Sequence, residues 1–365
     1  MIFSDKAAIS ELGEFDDIID VRSPAEYAED HVPGALSAPV LSDAERVRIG
    51  TLHKQTSAFD AKKTGAALVA RNIAQHLDGT FSDRPKSWRP LIYCWRGGQR
   101  SGAMTEVFKR IGWRASQLDG GYKTYRRSVI ERLDAVPARF AFRIVCGVTG
   151  SGKSRLLRTL DAEGAQVLDL EELAQHRGSV LGNLPGAPQP SQKMFESLVL
   201  AALERFDAAQ PVFVEAESKK VGDLRVPDGL MEAMRASPCV RVEMDMPLRV
   251  ALLKDEYAHF LQDPALLGVQ LDCLTTLHGR ERIGDWKTLA SQGAWDALVL
   301  RLLHEHYDPA YLRGMGRNYT GFGTAPALPV HAIDAPGMRD AAHRAIALGA
   351  QAANRRAAAR AAADG

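Results

Sequence analysis

Gly147-Val148-Thr149-Gly150-Ser151-Gly152-Lys153-Ser154 satisfies the phosphate-loop pattern G-x-x-x-x-G-K-[ST] at every fixed position. The apolar run Arg143-Ile144-Val145-Cys146 before it reads as a buried strand, and Arg155-Leu156-Leu157-Arg158-Thr159-Leu160 after it as an amphipathic helix. Strand, glycine loop and helix in that order are the context the motif needs. Gly147, Gly150 and Gly152 let successive N–H groups and a helix N-terminus face one anion; Lys153 adds a point charge, and the Ser154 hydroxyl can hold a magnesium ion. A glycine-rich turn without a ligand is the plainer reading, and the flanking elements weigh against it.

Outward from this loop, 365 residues suggest two domains, and 45% hydrophobic with 25% charged residues are the proportions of a globular protein. No apolar run approaches the roughly 18 residues of a membrane span, and Met1 to Asp20 lacks the basic-then-apolar pattern of a secretion signal. A cytoplasmic location without a membrane partner is expected. Cys94, Cys146, Cys239 and Cys273 show no C-x-x-C or zinc spacing and read as free thiols. The net charge of +1 hides an asymmetry, because residues 96–143 carry 11 basic and only 4 acidic side chains. This block, with Lys109, Arg110, Arg114, Lys123, Arg126, Arg127 and Arg132, could attract a polyanion such as RNA, with Lys123, Arg126 and Arg127 as candidate contacts. A solvated helix face with paired charges is the alternative.

The first 135 residues alternate strand patterns (Ile18 to Val21, Leu91 to Tyr93) with helical ones (Asp43 to Gly50, Ala66 to Leu77, Ser101 to Ile111), which predicts a parallel α/β sheet. Gln117-Leu118-Asp119-Gly120-Gly121-Tyr122 is a glycine turn into the basic helix Lys123 to Leu133, and Pro137 marks a linker. The expected division is 1–135, 136–345 for the phosphate-loop domain with a helical C-terminal region, and an Ala/Arg-rich tail at 346–365, of which Ala352 to Gly365 reads as a frayed helix or a disordered end.

Asp20-Val21-Arg22-Ser23-Pro24-Ala25-Glu26-Tyr27 with His31-Val32-Pro33-Gly34-Ala35 resembles the rhodanese signature, and Cys94-Trp95-Arg96-Gly97-Gly98-Gln99-Arg100-Ser101 lies where that family keeps its sulfur-carrying loop. Bottom-up, Cys94 ends a strand and is followed by a loop of glycines and two arginines leading into a helix. N–H donors, a helix dipole and the charges of Arg96 and Arg100, with Gly97 and Gly98 between them, favour a thiolate that takes up sulfur or selenium. A merely buried cysteine is the alternative. The spacing of Cys94 and Arg100 also looks like that of cysteine phosphatases, in which the arginine binds a phosphoryl group, although Tyr93 stands where those enzymes usually have histidine.

Beyond the phosphate loop, Val167 to Asp169, Val212 to Val214 and Val240 to Asp245 read as strands, and Ser191 to Phe206 as a long amphipathic helix. Gly182 to Pro190 reads as a loop near the ligand. Glu215 and Glu217, at the end of an apolar strand, are candidates for a second group directed at magnesium or water, or else a solvated strand end. His304 and His306, two apart, face different sides of a helix, which disfavours a metal pair.

A rhodanese half followed by a phosphate-loop half is similar to the tRNA 2-selenouridine synthase family, carried also by Leu118 to Arg126, Gln192-Lys193-Met194-Phe195-Glu196 and Glu215-Ala216-Glu217-Ser218-Lys219-Lys220-Val221-Gly222. The resemblance implies a transferase acting on wobble 2-thiouridine in tRNA, by S-geranylation from geranyl diphosphate and then selenium transfer from selenophosphate. Both donors are substrates; no firmly bound cofactor is implied, and magnesium is a candidate ion. By matched position Cys94 carries or delivers selenium, and the phosphate loop holds the prenyl diphosphate. Rival readings are an ATP-dependent kinase or ATPase with a sulfur-carrier domain, a rhodanese-fold cysteine phosphatase, and a non-catalytic RNA-binding protein.

Overall fold

The structure, a computed structural model, describes residues 5–55, 57–179, 181–182, 186 and 188–363, with residues 350–363 described as helix backbone. It separates into two compact units: Met1–Arg132 with Pro190–Ala201, and Leu133–Gln189 with Ala202–Gly365. The second unit therefore lacks an internal segment that the sequence reading placed in it.

Among the described residues, the first unit contains a parallel sheet of β1 (Lys6–Ala7), β2 (Asp17–Asp20), β3 (Leu36–Ser37), β4 (Pro90–Tyr93) and β5 (Ser116–Leu118), in the order β1-β5-β4-β2-β3. β4 is central and every residue in it is buried, the signature of a parallel strand covered on both faces. Helices Ala58–Asp78 and Gln99–Ile111 cover one side; Ile73, Phe81, Trp88, Met104 and Phe108 pack there with Ile19 and Ile92.

In the second unit β6 (Phe142–Cys146), β7 (Gln166–Leu168), β8 (Val212–Glu215), β11 (Cys239–Glu243) and β12 (Ala327–Pro329) form a parallel sheet in the order β12-β11-β6-β8-β7, while β9 (Lys220–Val221) and β10 (Leu224–Arg225) make a separate antiparallel pair. Helices follow from Met246 to Asn318, with a break at Tyr257 between Met246–Glu256 and Ala258–Gln262. No helix among the described residues is long and apolar enough to cross a membrane.

The tail also differs from expectation, since the helix Ala335–Ala363 crosses residue 345 without interruption. Met338, Ala341, Ala342 and Ala345 are buried at helical spacing, and Ile346 and Leu348 pack on the same core. Arg143, fully buried in β6, donates through Nε and Nη2 to the Gly349 carbonyl at 3.2 and 3.1 Å. A buried guanidinium must be hydrogen-bonded, so this contact pins the helix beyond residue 345.

Candidate functional site

Each unit carries a loop at the C-terminal end of its central strand, the position at which open parallel sheets bind ligands. In the first unit Cys94 follows β4 and is 3% exposed. Its Sγ accepts hydrogen bonds from Gly98 N–H at 3.3 Å and from the Ser101 hydroxyl at 3.1 Å, and Gln117 Nε2 donates to that hydroxyl oxygen at 2.7 Å.

The glycine turn at 120–121 braces this loop. Tyr122 N–H donates to the Cys94 carbonyl and Lys123 N–H to that of Trp95, each at 2.9 Å. Gly121 has φ +58°, and a Cβ there would stand 2.3 Å from the Cys94 carbonyl oxygen and 2.5 Å from Gly97 N. The rhodanese-like signature supports the same turn from below. Asp20 and Arg22 form a buried ion pair at 2.6 Å, the Arg22 guanidinium lies 3.9 Å from the centre of the Tyr122 ring, and Tyr122 OH donates to Asp30 at 2.7 Å.

Arg96 and Gly98 are exposed beside Cys94, with Gly97 less so. Arg100, by contrast, pairs with Glu26 at 2.8 Å. Burial works to raise the Glu26 carboxyl, and the Arg100 guanidinium overcomes this and holds it below the usual range. Arg100 is thus engaged by a carboxylate, and an anion bound beside Cys94 would compete with Glu26 for it. Arg126 likewise is no free RNA contact: it is paired with Glu196, donates to the Lys193 carbonyl at 3.1 Å and lies 3.9 Å from Asp30. Lys109 pairs with Asp5 and Arg110 with Glu106, whereas Lys123 and Arg127 are exposed.

The phosphate loop of the second unit runs from β6 into the helix Lys153–Ala162. Gly150, at φ +76°, packs where a Cβ would meet Leu253 at 2.8 Å, and Gly152 caps the helix in the left-handed region. Gly147 N–H donates to Tyr311 OH at 2.6 Å. Arg249 braces the loop by donating to the Thr149 carbonyl at 2.6 and 3.0 Å while pairing with Asp308 at 2.6 Å.

Lys153 Nζ lies 3.4 Å from Glu215, and the Ser154 hydroxyl faces Glu215 at 3.1 Å and Glu171 at 3.2 Å. Carboxylate oxygens of Glu171, Glu215 and Glu217 all lie within 4.8 Å of one another. Burial, reinforced by the neighbouring Glu215, pushes the Glu171 carboxyl up to about 10 and that of Glu217 up to about 8, with Lys153 opposing. Three carboxylates and a hydroxyl are hard oxygen donors of the kind magnesium takes, so the residues present fit that ion. These groups line a cavity of about 1080 Å³, whose wall also includes Leu252, Leu253, Tyr257, Tyr307 and Tyr311. It can seat an anionic head beside an apolar body.

Glu171, Tyr311, Arg249 and Asp308 were not foreseen from sequence. The signal that picks out Glu215, an acid at the end of an apolar strand, also applies to Glu171 after Val167-Leu168-Asp169. The others come from distant helices and leave no local pattern.

Fold and sites together define a protein class: a rhodanese-type domain carrying a donor-ringed cysteine, joined to a phosphate-loop domain. Family models match in the same places, a rhodanese-like domain over residues 5–128 and a tRNA 2-selenouridine synthase AAA domain over residues 140–268. The chain is 34% identical over 333 residues to the tRNA 2-selenouridine synthase of Aeromonas salmonicida, covering 82% of this chain and 87% of that one. It is 34% identical over 244 residues to that of Nitrosomonas europaea, covering 66% and 63% respectively, and 35% identical over 253 residues to that of Hydrogenovibrio crunogenus, covering 67% and 69%. The chain belongs to the tRNA 2-selenouridine synthase family.

Proposed function

We propose that the protein converts wobble 2-thiouridine in cytoplasmic tRNA to 2-selenouridine in two steps: S-geranylation from geranyl diphosphate, then replacement of the S-geranyl group by selenium from selenophosphate. The observation that carries this reading is the phosphate-loop cavity, whose lining combines Lys153 and Ser154 with leucine and tyrosine side chains and so suits a prenyl diphosphate. Lys153 and the loop N–H groups would stabilise the negative charge that grows on the diphosphate as its bond to carbon breaks. Ser154 with Glu171, Glu215 and Glu217 would hold magnesium, which would neutralise part of that charge.

Alkylation makes chemical sense of the order of steps. A thiocarbonyl sulfur leaves poorly, whereas an S-geranyl group departs as a thiol once selenium adds to C2. Cys94 serves this second step, with Gly98 N–H and the Ser101 hydroxyl stabilising charge on its sulfur. Incubating the protein with 2-thiouridine tRNA, geranyl diphosphate and selenophosphate tests the reading. Nucleoside masses should show the S-geranyl species and then 2-selenouridine; ATP turnover with an unaltered base would instead favour the ATPase reading.

A further inference from the structure

The wall of the phosphate-loop cavity includes His306, whose ring meets that of His278 outside the lining. Between helices Trp295–Leu302 and Asp308–Asn318 the chain makes one turn of π-helix, Leu303–Tyr307. Such turns insert a residue into a helix and recur at functional sites. Here His306 and Tyr307 join Ala310 and Tyr311 in the cavity wall. His306 is 8% exposed, and its Nδ1 lies 2.9 Å from Nε2 of His278, with the two rings edge to face. His278 is half-buried and ends the short helix Thr275–His278.

In such a contact one nitrogen carries the hydrogen and the other accepts it, so a proton can pass between the rings. His306 lines the cavity and its Nε2 is left outside this contact, while Nδ1 of His278 belongs to a half-buried ring. The pair is surrounded by Trp286 and Tyr307, with Glu305 and Arg282 as the charged groups beside His278. Glu305 is itself held by Arg282 at 3.3 Å and Arg301 at 2.7 Å. Burial lowers both histidines from their ordinary value, Arg282 adding to the effect at His278 and His278 at His306, which leaves the pair neutral and able to accept a proton near pH 7.

We propose that His306 and His278 form a proton relay for the alkylation, His306 accepting at Nε2 the proton that leaves N3 of the thiouridine. The relay rests on the S-geranylation reading above. A sulfur lone pair forms the S–C bond, and the C–O bond to diphosphate breaks with its electron pair leaving on oxygen. The N3–H electrons become the ring C=N bond. His306 takes that proton at Nε2 and passes its Nδ1 proton to Nε2 of His278, which releases one from Nδ1 to water.

The test is the single-turnover rate of tRNA S-geranylation between pH 5 and 8, together with geranyl diphosphate binding, for the parent, His306→Gln, His306→Asn and His278→Gln. The parent rate should fall on acidification as the base becomes protonated. Both His306 variants should lose about 10²- to 10⁴-fold at pH 7, the range for general-base catalysis, with unchanged donor affinity and no acid limb. His278→Gln should lose less and move the acid limb. Parental rates and pH profiles in the His306 variants would overturn the relay, as would loss of donor binding in both, which would make His306 structural. A parent that forms no S-geranyl product at any pH would remove the alkylation reading and the relay with it.

Discussion

The Ser154 hydroxyl lies 3.1 Å from Oε2 of Glu215, and the other oxygen of that carboxylate lies 3.4 Å from Lys153 Nζ. One side chain on β8 thus touches both functional groups of the phosphate loop. Without a ligand the lysine charge is matched by Glu215, while Glu171 and Glu217 crowd the same point. An incoming diphosphate would compete with that carboxylate for Lys153, and a divalent cation would relieve the crowding.

This arrangement sets a pH dependence. Glu171 and Glu217 titrate at about 10 and about 8 in the fold, against 4.5 for an ordinary glutamate. Because their folded values are raised, the folded state holds more protons than the unfolded chain above pH 4.5, and this contribution lowers stability as pH rises from there through about 8 for Glu217 and about 10 for Glu171. Magnesium bound at these carboxylates would compete with those protons. Its gain in thermal midpoint should therefore be larger at pH 8 than at pH 6, and equal gains would contradict a site built on these carboxylates.

Arg126 and Arg127 should behave differently although they are neighbours. Arg126→Ala leaves Glu196 and Asp30 with a lost partner and should cost about 2 kcal/mol or more in urea unfolding. Arg127→Ala should leave stability within about 0.5 kcal/mol and, if this face binds tRNA, lessen the salt dependence of tRNA affinity by about one unit of slope. An unchanged slope in a Lys123→Ala, Arg127→Ala double variant would place the RNA elsewhere.

Gly121→Ala tests the brace beneath Cys94. Its Cβ would stand 2.3 Å from the Cys94 carbonyl oxygen on a backbone at φ +58°, so the turn must open. A loss of about 1–3 kcal/mol in chemical denaturation is expected, with loss of selenium transfer. Wild-type stability would show that the turn does not hold the loop this way.

The phosphate loop was legible because its pattern is local: strand, glycines and helix lie within about twenty residues, and β6 and the helix Lys153–Ala162 flank it. The charge block was misleading because counting cations along the chain cannot see carboxylates that fold against them, such as Glu196 on Arg126. Pro190–Ala201 lies in the phosphate-loop half of the sequence yet packs with the first unit, for a similar reason. Its helical period is the same on either neighbour, and only distant partners decide: Lys193 pairs with Glu29 at 2.5 Å and Ser197 donates to Asp30 at 2.8 Å. The C-terminal helix packs through alanines, whose weak apolar pattern resembles a solvated tail. His306 was visible as a residue, but the π turn that contains it was not, since no residue pattern marks the inserted position.

The division of labour between Lys153 and Cys94 is tested most directly by nucleoside masses from tRNA treated with Cys94→Ser and Lys153→Ala proteins in the presence of both donors. Serine keeps a similar shape but stays protonated near neutral pH and carries selenium poorly. Cys94→Ser should therefore accumulate S-geranylated tRNA without 2-selenouridine. Lys153→Ala should bind tRNA yet lose geranylation by about 10²-fold or more, the effect of removing one electrostatic stabiliser. Undiminished 2-selenouridine from Cys94→Ser, or parental geranylation by Lys153→Ala, would contradict the assignment.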